Sequence, residues 1–533
     1  MALARIEFRR LVEDLLRSEQ NRVTCNPGAN YRIALVYPNR YAIAVANLGF
    51  QEVYRLFNAE AAFSCERSFA YEPPFNHFPL TLETQRELNT FDIIAFSLSF
   101  ELDELNLAQL LHNAKIPIMR SERDENSPLI IAGGIVASLN PAPLTNIVDV
   151  FLLGEAEVTI PQFCTKITAH RPGELRSEKC LQDLAELDFC FVPGFTSTHA
   201  IIQKASVTGK AFEPVCSSII SPHSHFQNMF CVEVGRACGR GCRFCAAGHA
   251  CRPIRFHPPE NVIAAVRNNP FQAKKIGLIG AALSDYPRLD HVCSTLIDEG
   301  YTLGLSSFRM DVITPKFLSH LENANVRSIT LAPEAGSERM RKLIHKNLSD
   351  EQIYQAIEYL AYSAISNIKL YFMIGLPFEN SDDIEAIAKM VQKISSKLTG
   401  REINVSINAF IPKPFTPFQW APMDRANSIK RKRNSLYSRL RKIKGVTVSQ
   451  KSLRSEIMQA VLSLGDSRLG AALARNTAGS ANWQTILKQS GIDLDQVIHQ
   501  TRQYEDKLPW DFIAGGISKE WLWQDWQSAK ALG

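Results

Sequence analysis

Residues Gly235–Gly248, "GRACGRGCRFCAAG", place Cys238, Cys242 and Cys245 within eight positions, separated by glycines and arginines. The spacing is Cys-x3-Cys-x2-Cys, and it follows an apolar run, "MFCVEV", that reads as a buried strand. Three readings of the triplet compete. Free thiols crowded into an open loop are a chemical liability, so a loop without a ligand is the weakest. Structural zinc needs four protein ligands, and Cys251, His249 or Cys231 are the residues near enough in sequence to complete a set. An iron–sulfur cluster held by three thiolates, with one iron left open for another molecule, fits the chemistry best. Gly239 and Gly241 let such a loop wrap a bulky group. Arg236, Arg240 and Arg243 are candidates to offset its negative charge, and Phe244 is a candidate to shield it.

Outward from this loop the chain shows a βα series. "KKIGLIGAA" (274–282), "LGLSSFRMD" (303–311), "SITLAPEAGS" (328–337), "IKLYFMIGLP" (368–377) and "NVSINAFIP" (404–412) follow the first strand, with helical patterns such as "DEQIYQAIEYLAYSA" between several of them. Six strands in this order predict a partial (βα)6 barrel over 226–445, with its chemistry at the carboxyl ends of the strands. Upstream, "RIALVYP" (32–38), "FDIIAFSLS" (91–99), "PLIIAGG" (128–134) and "VDVFLLGE" (148–155) read as buried parallel strands, and "FSCERSFAY" (63–71) as a further one. They predict a doubly wound, flavodoxin-like parallel sheet over 30–165, with ligands at the strand ends. Residues 1–29 read as an N-terminal helix, 166–225 as a linker, and 446–533 as a small, mostly helical C-terminal region. The fold class is therefore α/β.

The bulk numbers agree with several domains. The chain has 533 residues, 45% apolar and 21% charged, and a formal net charge of +5 that permits an anionic partner without demanding one. No apolar run is long enough for a membrane span, and the start carries Glu7, Glu13 and Asp14 inside its apolar pattern, unlike a signal peptide. The expected location is the cytoplasm. Most of the twelve cysteines are scattered and read as small buried hydrophobes. Residues 430–444, "KRKRNSLYSRLRKIK", carry eight Lys or Arg and no acid. They read as a solvated helix face, or alternatively as a phosphate-contact surface for RNA.

The cysteine spacing at the end of a first βα strand, with an aromatic before the last cysteine, resembles the radical S-adenosylmethionine superfamily over about 226–420. The resemblance implies a [4Fe–4S] cluster on Cys238, Cys242 and Cys245 whose open iron binds S-adenosylmethionine. One electron then cleaves that molecule to methionine and a 5′-deoxyadenosyl radical. It also implies cofactor contacts at later strand ends: Gly280 and Ala281, in a looser version of a glycine-rich turn, for the methionine amino group; Ser307 and Arg309 for carboxylate or ribose; Glu334 for the ribose hydroxyls; Ile374 and Gly375 on the adenine side; and Phe410 and Ile411 flanking the adenine. An electron donor such as flavodoxin or ferredoxin is the implied partner.

The N-terminal domain resembles that of the cobalamin-binding-type branch. There the paired glycines Gly133 and Gly134, and Gly154-Glu155-Ala156-Glu157 with alanine replacing a glycine, match the ends of strands four and five. Ser97 and Ser99 lie where hydroxyls bond the cofactor's nucleotide tail. The Asp-x-His-x-x-Gly signature of a histidine-ligating cobalamin domain is absent. The implied activity is radical cleavage of S-adenosylmethionine, with cobalamin-dependent methyl transfer to an unactivated carbon as one outcome. The alternatives are a cobalamin-independent radical enzyme modifying RNA or another macromolecule, and a non-enzymatic metal-bearing RNA-binding protein.

Overall fold

The structure, a computed structural model, describes residues 2–73, 75–197, 200–305, 308–323, 326–477 and 482–533. It divides into two compact units. The first comprises residues up to Phe230 with Leu462–Asp493 and Lys507–Ala514, and the second comprises Cys231–Val461, Leu494–Asp506 and Gly515–Gly533.

In the first unit β1 (Tyr31–Tyr37), β2 (Phe63–Phe69), β3 (Ile93–Ser97), β4 (Leu129–Gly133) and β5 (Val150–Leu152) are parallel, and β6 (Cys190–Phe191) runs antiparallel to β5. The order is β2-β1-β3-β4-β5-β6. Both faces are covered: Ile33, Leu35, Ile93 and Ile131 are buried on one, and Ala34, Val36, Ile94 and Ile130 on the other. This double burial is why the strands read as continuous apolar runs rather than alternating ones. The chain reverses between β1 and β3, which places a crevice at their carboxyl ends. The start of the chain forms the helix Ala2–Ser18 and buries Phe8, Val12 and Leu15.

In the second unit β7 (Phe230–Arg236) sits beside β9 (Lys275–Gly280), which pairs in turn with β10 (Thr302–Leu305), and the short β8 (Arg255–Phe256) is antiparallel to β7. A second, all-parallel set comprises β11 (Ser328–Glu334), β12 (Asn367–Ile374), β13 (Glu402–Ala409) and β14 (Val446–Gln450). A bridge between Phe308 and Leu331 joins the two sets. Ile368, Leu370, Phe372 and Ile374 are at most 1% exposed, whereas Lys369 and Tyr371 between them are exposed. One face of the sheet is therefore packed under helices and the other is open. Each of those buried side chains contributes roughly 1.5–3 kcal/mol of transfer free energy. β14 extends the expected six strands by one.

The helix Asp350–Ala361 that covers this face starts with a capping box. The Ser349 hydroxyl accepts from the Gln352 N–H at 3.2 Å, and the Gln352 side chain accepts from the Ser349 N–H at 3.0 Å. Ser349→Ala is expected to cost about 1 kcal/mol of stability, read as a lower urea midpoint at constant slope.

The C-terminal stretch is helical, as expected, with Leu453–Leu464, Leu469–Asn476, Trp483–Gln489, Leu494–Ile498 and Lys519–Leu532. It does not form a body of its own; its residues are shared between the two units. Among the described residues no helix is long and apolar enough to cross a membrane.

Candidate active site

β7 delivers the chain into the cysteine loop at its carboxyl end. The loop closes on itself through backbone hydrogen bonds. Cys238 N donates to Ala247 O at 3.2 Å, Cys245 N to Cys242 O at 3.0 Å, and Gly248 N to Cys245 O at 3.3 Å. Gly241 has φ +66°, a left-handed conformation that glycine adopts without strain, and it lets the loop turn back. A Cβ on Gly248 would stand 3.5 Å from Gly241 N, which shows how tightly the two glycine segments meet.

Cys242 is buried, and Cys238 and Cys245 are half-buried. Burial pushes the Cys242 thiol up to about 11, against the opposing pull of Lys346 and Arg309. Burial also raises the Cys245 thiol. Among the described residues no group of three His, Cys, Asp or Glu side chains is drawn in as a ready metal-ligand set, so the cysteines share a loop rather than a finished ligand geometry. The soft sulfur donors and the glycine-turned backbone suit an iron–sulfur cluster. For a zinc set, Cys231 lies within β7 and the buried His249 ring turns its Nε2 to the Cys242 carbonyl at 3.1 Å, while His249 Nδ1 has no hydrogen-bond partner among the described residues and Cys251 is half-buried.

The loop arginines do not face the thiols as free cations. Arg236 pairs with Glu233 at 2.8 Å, Arg240 with Asp285 at 2.9 Å, and Arg243 with Asp525 at 2.7 Å. Arg240 still lies within electrostatic reach of Cys238. The cations acting on Cys242 are Lys346 and Arg309. Lys346 arrives on the turn after the helix Glu338–Leu343, and this turn docks on the cysteine loop. Arg243 N donates to Ile344 O at 3.0 Å, and His345 Nδ1 stands 3.2 Å from Gly241 O.

Glu334 ends β11 with φ +68°, a strained conformation for a side-chain-bearing residue, next to a register shift between Leu331 and Glu334. Such outliers persist where the surroundings enforce them, commonly at functional sites. Burial pushes its carboxyl up, while the Lys346 ammonium at 3.2 Å pulls it down. Glu334 also acts electrostatically on Cys242 and Cys245, so the fold brings the acidic residue and these two cysteines into one neighbourhood.

Arg309 donates to Asp311 and, at 3.3 Å, to the Lys346 carbonyl, and its N–H bonds Ser284 Oγ at 3.1 Å. Ser307 lies outside the described residues. Gly280 ends β9 against β7, where an added Cβ would stand 2.9 Å from Val234, and Ala281 beside it is exposed. Gly375 follows β12 with φ +75°. Its N–H donates to the buried Glu379 carboxylate at 2.8 Å, and Lys432 pairs that carboxylate at 2.8 Å and Asp424 at 2.9 Å. Ile374 O accepts from Phe410 N at 2.9 Å, tying the ends of β12 and β13; Phe410 is buried and Ile411 half-buried. Phe244 is half-buried in the cysteine loop.

Sequence reading missed Lys346, His345, Asp285 and Asp525. None carries a local signal, and the Arg243–Asp525 pair spans 282 residues. The basic run also changes character. Arg433 is buried against Glu456, Lys432 belongs to the Glu379 network, and Arg439 pairs with Glu385 at 3.1 Å. Lys430, Arg431, Arg441, Lys442 and Lys444 remain exposed, but the first two lie in the helix Ala426–Leu440 and the other three follow its end, about 15 Å further along.

In the first unit Ser97 ends β3 opposite Gly133, and Ser99 Oγ accepts from Asn47 Nδ2 at 3.1 Å. A Cβ on Gly133 would stand 3.3 Å from Leu152 O. Gly134 has φ +97° and Gly154 φ +114°, and a Cβ on either would collide with backbone, Leu98 at the first and Ala205 at the second. The linker runs along Gly154: Glu155 N donates to Ala205 O at 2.9 Å, and the Glu155 carboxylate accepts from Val207 N at 2.7 Å. The space that a Cβ would take at Gly134 and at Gly154 is filled by the chain itself, and Ser97 and Gly133 lie side by side at the ends of β3 and β4.

Comparison with known proteins agrees with this division. Residues 49–193 match the family described as radical SAM proteins, N-terminal, and residues 232–391 match the radical SAM superfamily. An uncharacterized protein of Methanocaldococcus jannaschii is 27% identical over 497 residues, covering 90% of this chain and 98% of the relative. Among solved structures, the apo form of the cobalamin-dependent S-adenosylmethionine radical enzyme OxsB is similar with a TM-score of 0.41 and 13% identity, over 68% of this chain and 51% of that one. Methylornithine synthase is similar with a TM-score of 0.30 and 9% identity, over 65% of this chain and 94% of that one. These structural likenesses are distant, and nothing about cofactor or substrate passes from them to this chain. The two family matches together span more than half of the sequence, and they fall on the flavodoxin-like sheet and on the barrel that carries the cysteine loop; the chain belongs to the radical SAM superfamily, with an N-terminal domain of the kind found in radical SAM proteins ahead of the barrel.

Proposed function

We propose that this protein reductively cleaves S-adenosylmethionine, with Cys238, Cys242 and Cys245 holding a [4Fe–4S] cluster. The observation that carries the reading is the convergence of the Cys242 and Cys245 loop, Glu334 and Lys346 at the carboxyl ends of the barrel strands. When bound, the cluster supplies the single electron that splits S-adenosylmethionine into methionine and a 5′-deoxyadenosyl radical. The chain's own part is placement. Glu334 is the acceptor for the ribose hydroxyls, and Lys346 and Arg309 are the cations for the carboxylate. Gly375, with its N–H fixed by Glu379, shapes the adenine side, as does Phe410, anchored to Ile374. The buried surroundings strengthen each charged contact relative to water.

A finer reading adds cobalamin in the first unit and methyl transfer to an unactivated carbon. It draws on the β2-β1-β3-β4-β5 order and the crevice between β1 and β3. No step is assigned to that group. A flavodoxin or ferredoxin is the electron donor that suits the chemistry. RNA as substrate rests only on Lys430 and Arg431 within the helix Ala426–Leu440 and the basic residues after it.

The test is a product analysis on protein purified without oxygen and reconstituted with iron and sulfide. It is then given S-adenosylmethionine and reductant, with and without cobalamin. 5′-Deoxyadenosine is the expected product in both arms. S-adenosylhomocysteine formed only with cobalamin supports methyl transfer. A chain that takes up one tight zinc and no iron overturns the proposal.

A further inference from the structure

We propose that the C-terminal helix Lys519–Leu532 is part of the cluster site, and that Asp525 is a positioning residue that holds the cysteine loop through Arg243. This rests on the cluster reading above. Arg243 stands between Cys242 and Cys245 in the sequence and is 6% exposed. Its guanidinium is held at two places. Nε and Nη2 donate to the two Asp525 oxygens at 3.0 and 2.7 Å, a bidentate, charge-assisted pair, and Nη1 donates to Leu343 O at 2.6 Å. Its backbone is held at two more: Arg243 N donates to Ile344 O at 3.0 Å, and Arg243 O accepts from Phe418 N at 3.1 Å. The residue between two thiolate ligands is thus among the most constrained in the loop.

The rest of the C-terminal segment meets the far end of the same loop. Gly516, with φ +78°, passes so close that an added Cβ would stand 3.6 Å from Arg252 O and 3.9 Å from His249 O. The His249 ring lies 6.1 Å from Trp521 of the helix. The helix has its own anchor, independent of Asp525: Trp526 is 2% exposed and packs on Phe418 and Phe378 at ring separations of 5.7 and 5.6 Å. Removal of the Asp525 carboxylate therefore releases Arg243 while the aromatic contacts keep the helix docked. A buried guanidinium without its counter-charge is strongly unfavourable, and the loop relieves it by moving. That movement shifts Cys242 and Cys245, which must face one cluster.

The experiment uses the full chain with Asp525→Ala, Asp525→Asn and Asp525→Glu, each reconstituted identically without oxygen. Iron and acid-labile sulfide per chain are measured, then the rate at which a chelator bleaches the cluster absorbance. Outer partners of metal ligands typically matter ten- to a hundred-fold, so Ala and Asn are expected to lose the cluster about tenfold faster or more. Glu is expected to restore most of the wild-type persistence, and the cluster-free Asn variant is expected to have a lower unfolding midpoint but to remain folded at the assay temperature. Asn keeps the shape of Asp and decides the matter if Ala does not fold. Wild-type cluster persistence in Asp525→Asn overturns the proposal, as does an equal loss in Asp525→Glu. Failure of the wild type itself to take up iron and sulfide counts instead against the cluster reading.

Discussion

Single replacement of Cys238, Cys242 or Cys245 by alanine reduces 5′-deoxyadenosine formation to the background of the assay, and replacement of Cys25 or Cys293 does not. The expectation follows from ligand number. With three thiolates the cluster already relies on one open iron; with two it has no protein anchor for a second. Of the residues near enough to substitute, Cys231 is locked in β7 and His249 Nε2 stands 3.1 Å from the Cys242 carbonyl, which leaves the half-buried Cys251, six residues after Cys245. Cys25 and Cys293 are the controls because each has a place of its own outside the loop: the Cys25 thiol donates to the Cys65 carbonyl at 3.1 Å, and Cys293 is buried on the helix Leu289–Asp298. Activity in any one of the three loop variants comparable to wild type would falsify the cluster assignment. Iron analysis on the same samples separates loss of the cluster from loss of fold.

Glu334→Gln weakens S-adenosylmethionine binding about ten- to a hundred-fold while leaving the iron content unchanged. A hydrogen bond to a charged group is worth roughly 1.5–3 kcal/mol, and 1.4 kcal/mol is a factor of ten. The backbone at φ +68° is held by the fold around it, so the substitution removes charge without moving the position. It also leaves the Lys346 ammonium, 11% exposed, without its carboxylate. Equilibrium binding to reconstituted protein, measured without reductant, reads this directly. An unchanged dissociation constant removes Glu334 from the cofactor site, and a loss of iron reassigns it to supporting the cysteine loop.

Much of the architecture was legible in residue order. "RIALVYP" became β1 and "PLIIAGG" became β4 because strands buried on both faces must be apolar throughout. "FSCERSFAY" was harder, since Glu66 and Arg67 interrupt it. They are tolerated inside because Thr81 and Thr84 donate to Glu66 while Glu19 and Glu83 pair with Arg67, partners distributed over the first 84 residues. β14 was missed because its alternating pattern, Val446 and Val448 on one face, is short and no more than half-buried. The paired glycines after β4 and the glycine after β5 were visible as sites of close approach, but not what approaches; in the fold it is Leu98 and Ala205.

The sequence by itself determined the family, the order of the two α/β units and the three cysteine positions, because these depend on short-range spacing and on the periodicity of burial. The tertiary structure decided the electrostatics around the loop. Arg236, Arg240 and Arg243 look in the sequence like a positive collar for an anionic cluster, yet their carboxylates lie 3, 45 and 282 residues away, and the cations that act on Cys242 are Lys346 and Arg309, from the connections of other strands. Charge acts through distance in space, and only the folded chain sets which charges are near.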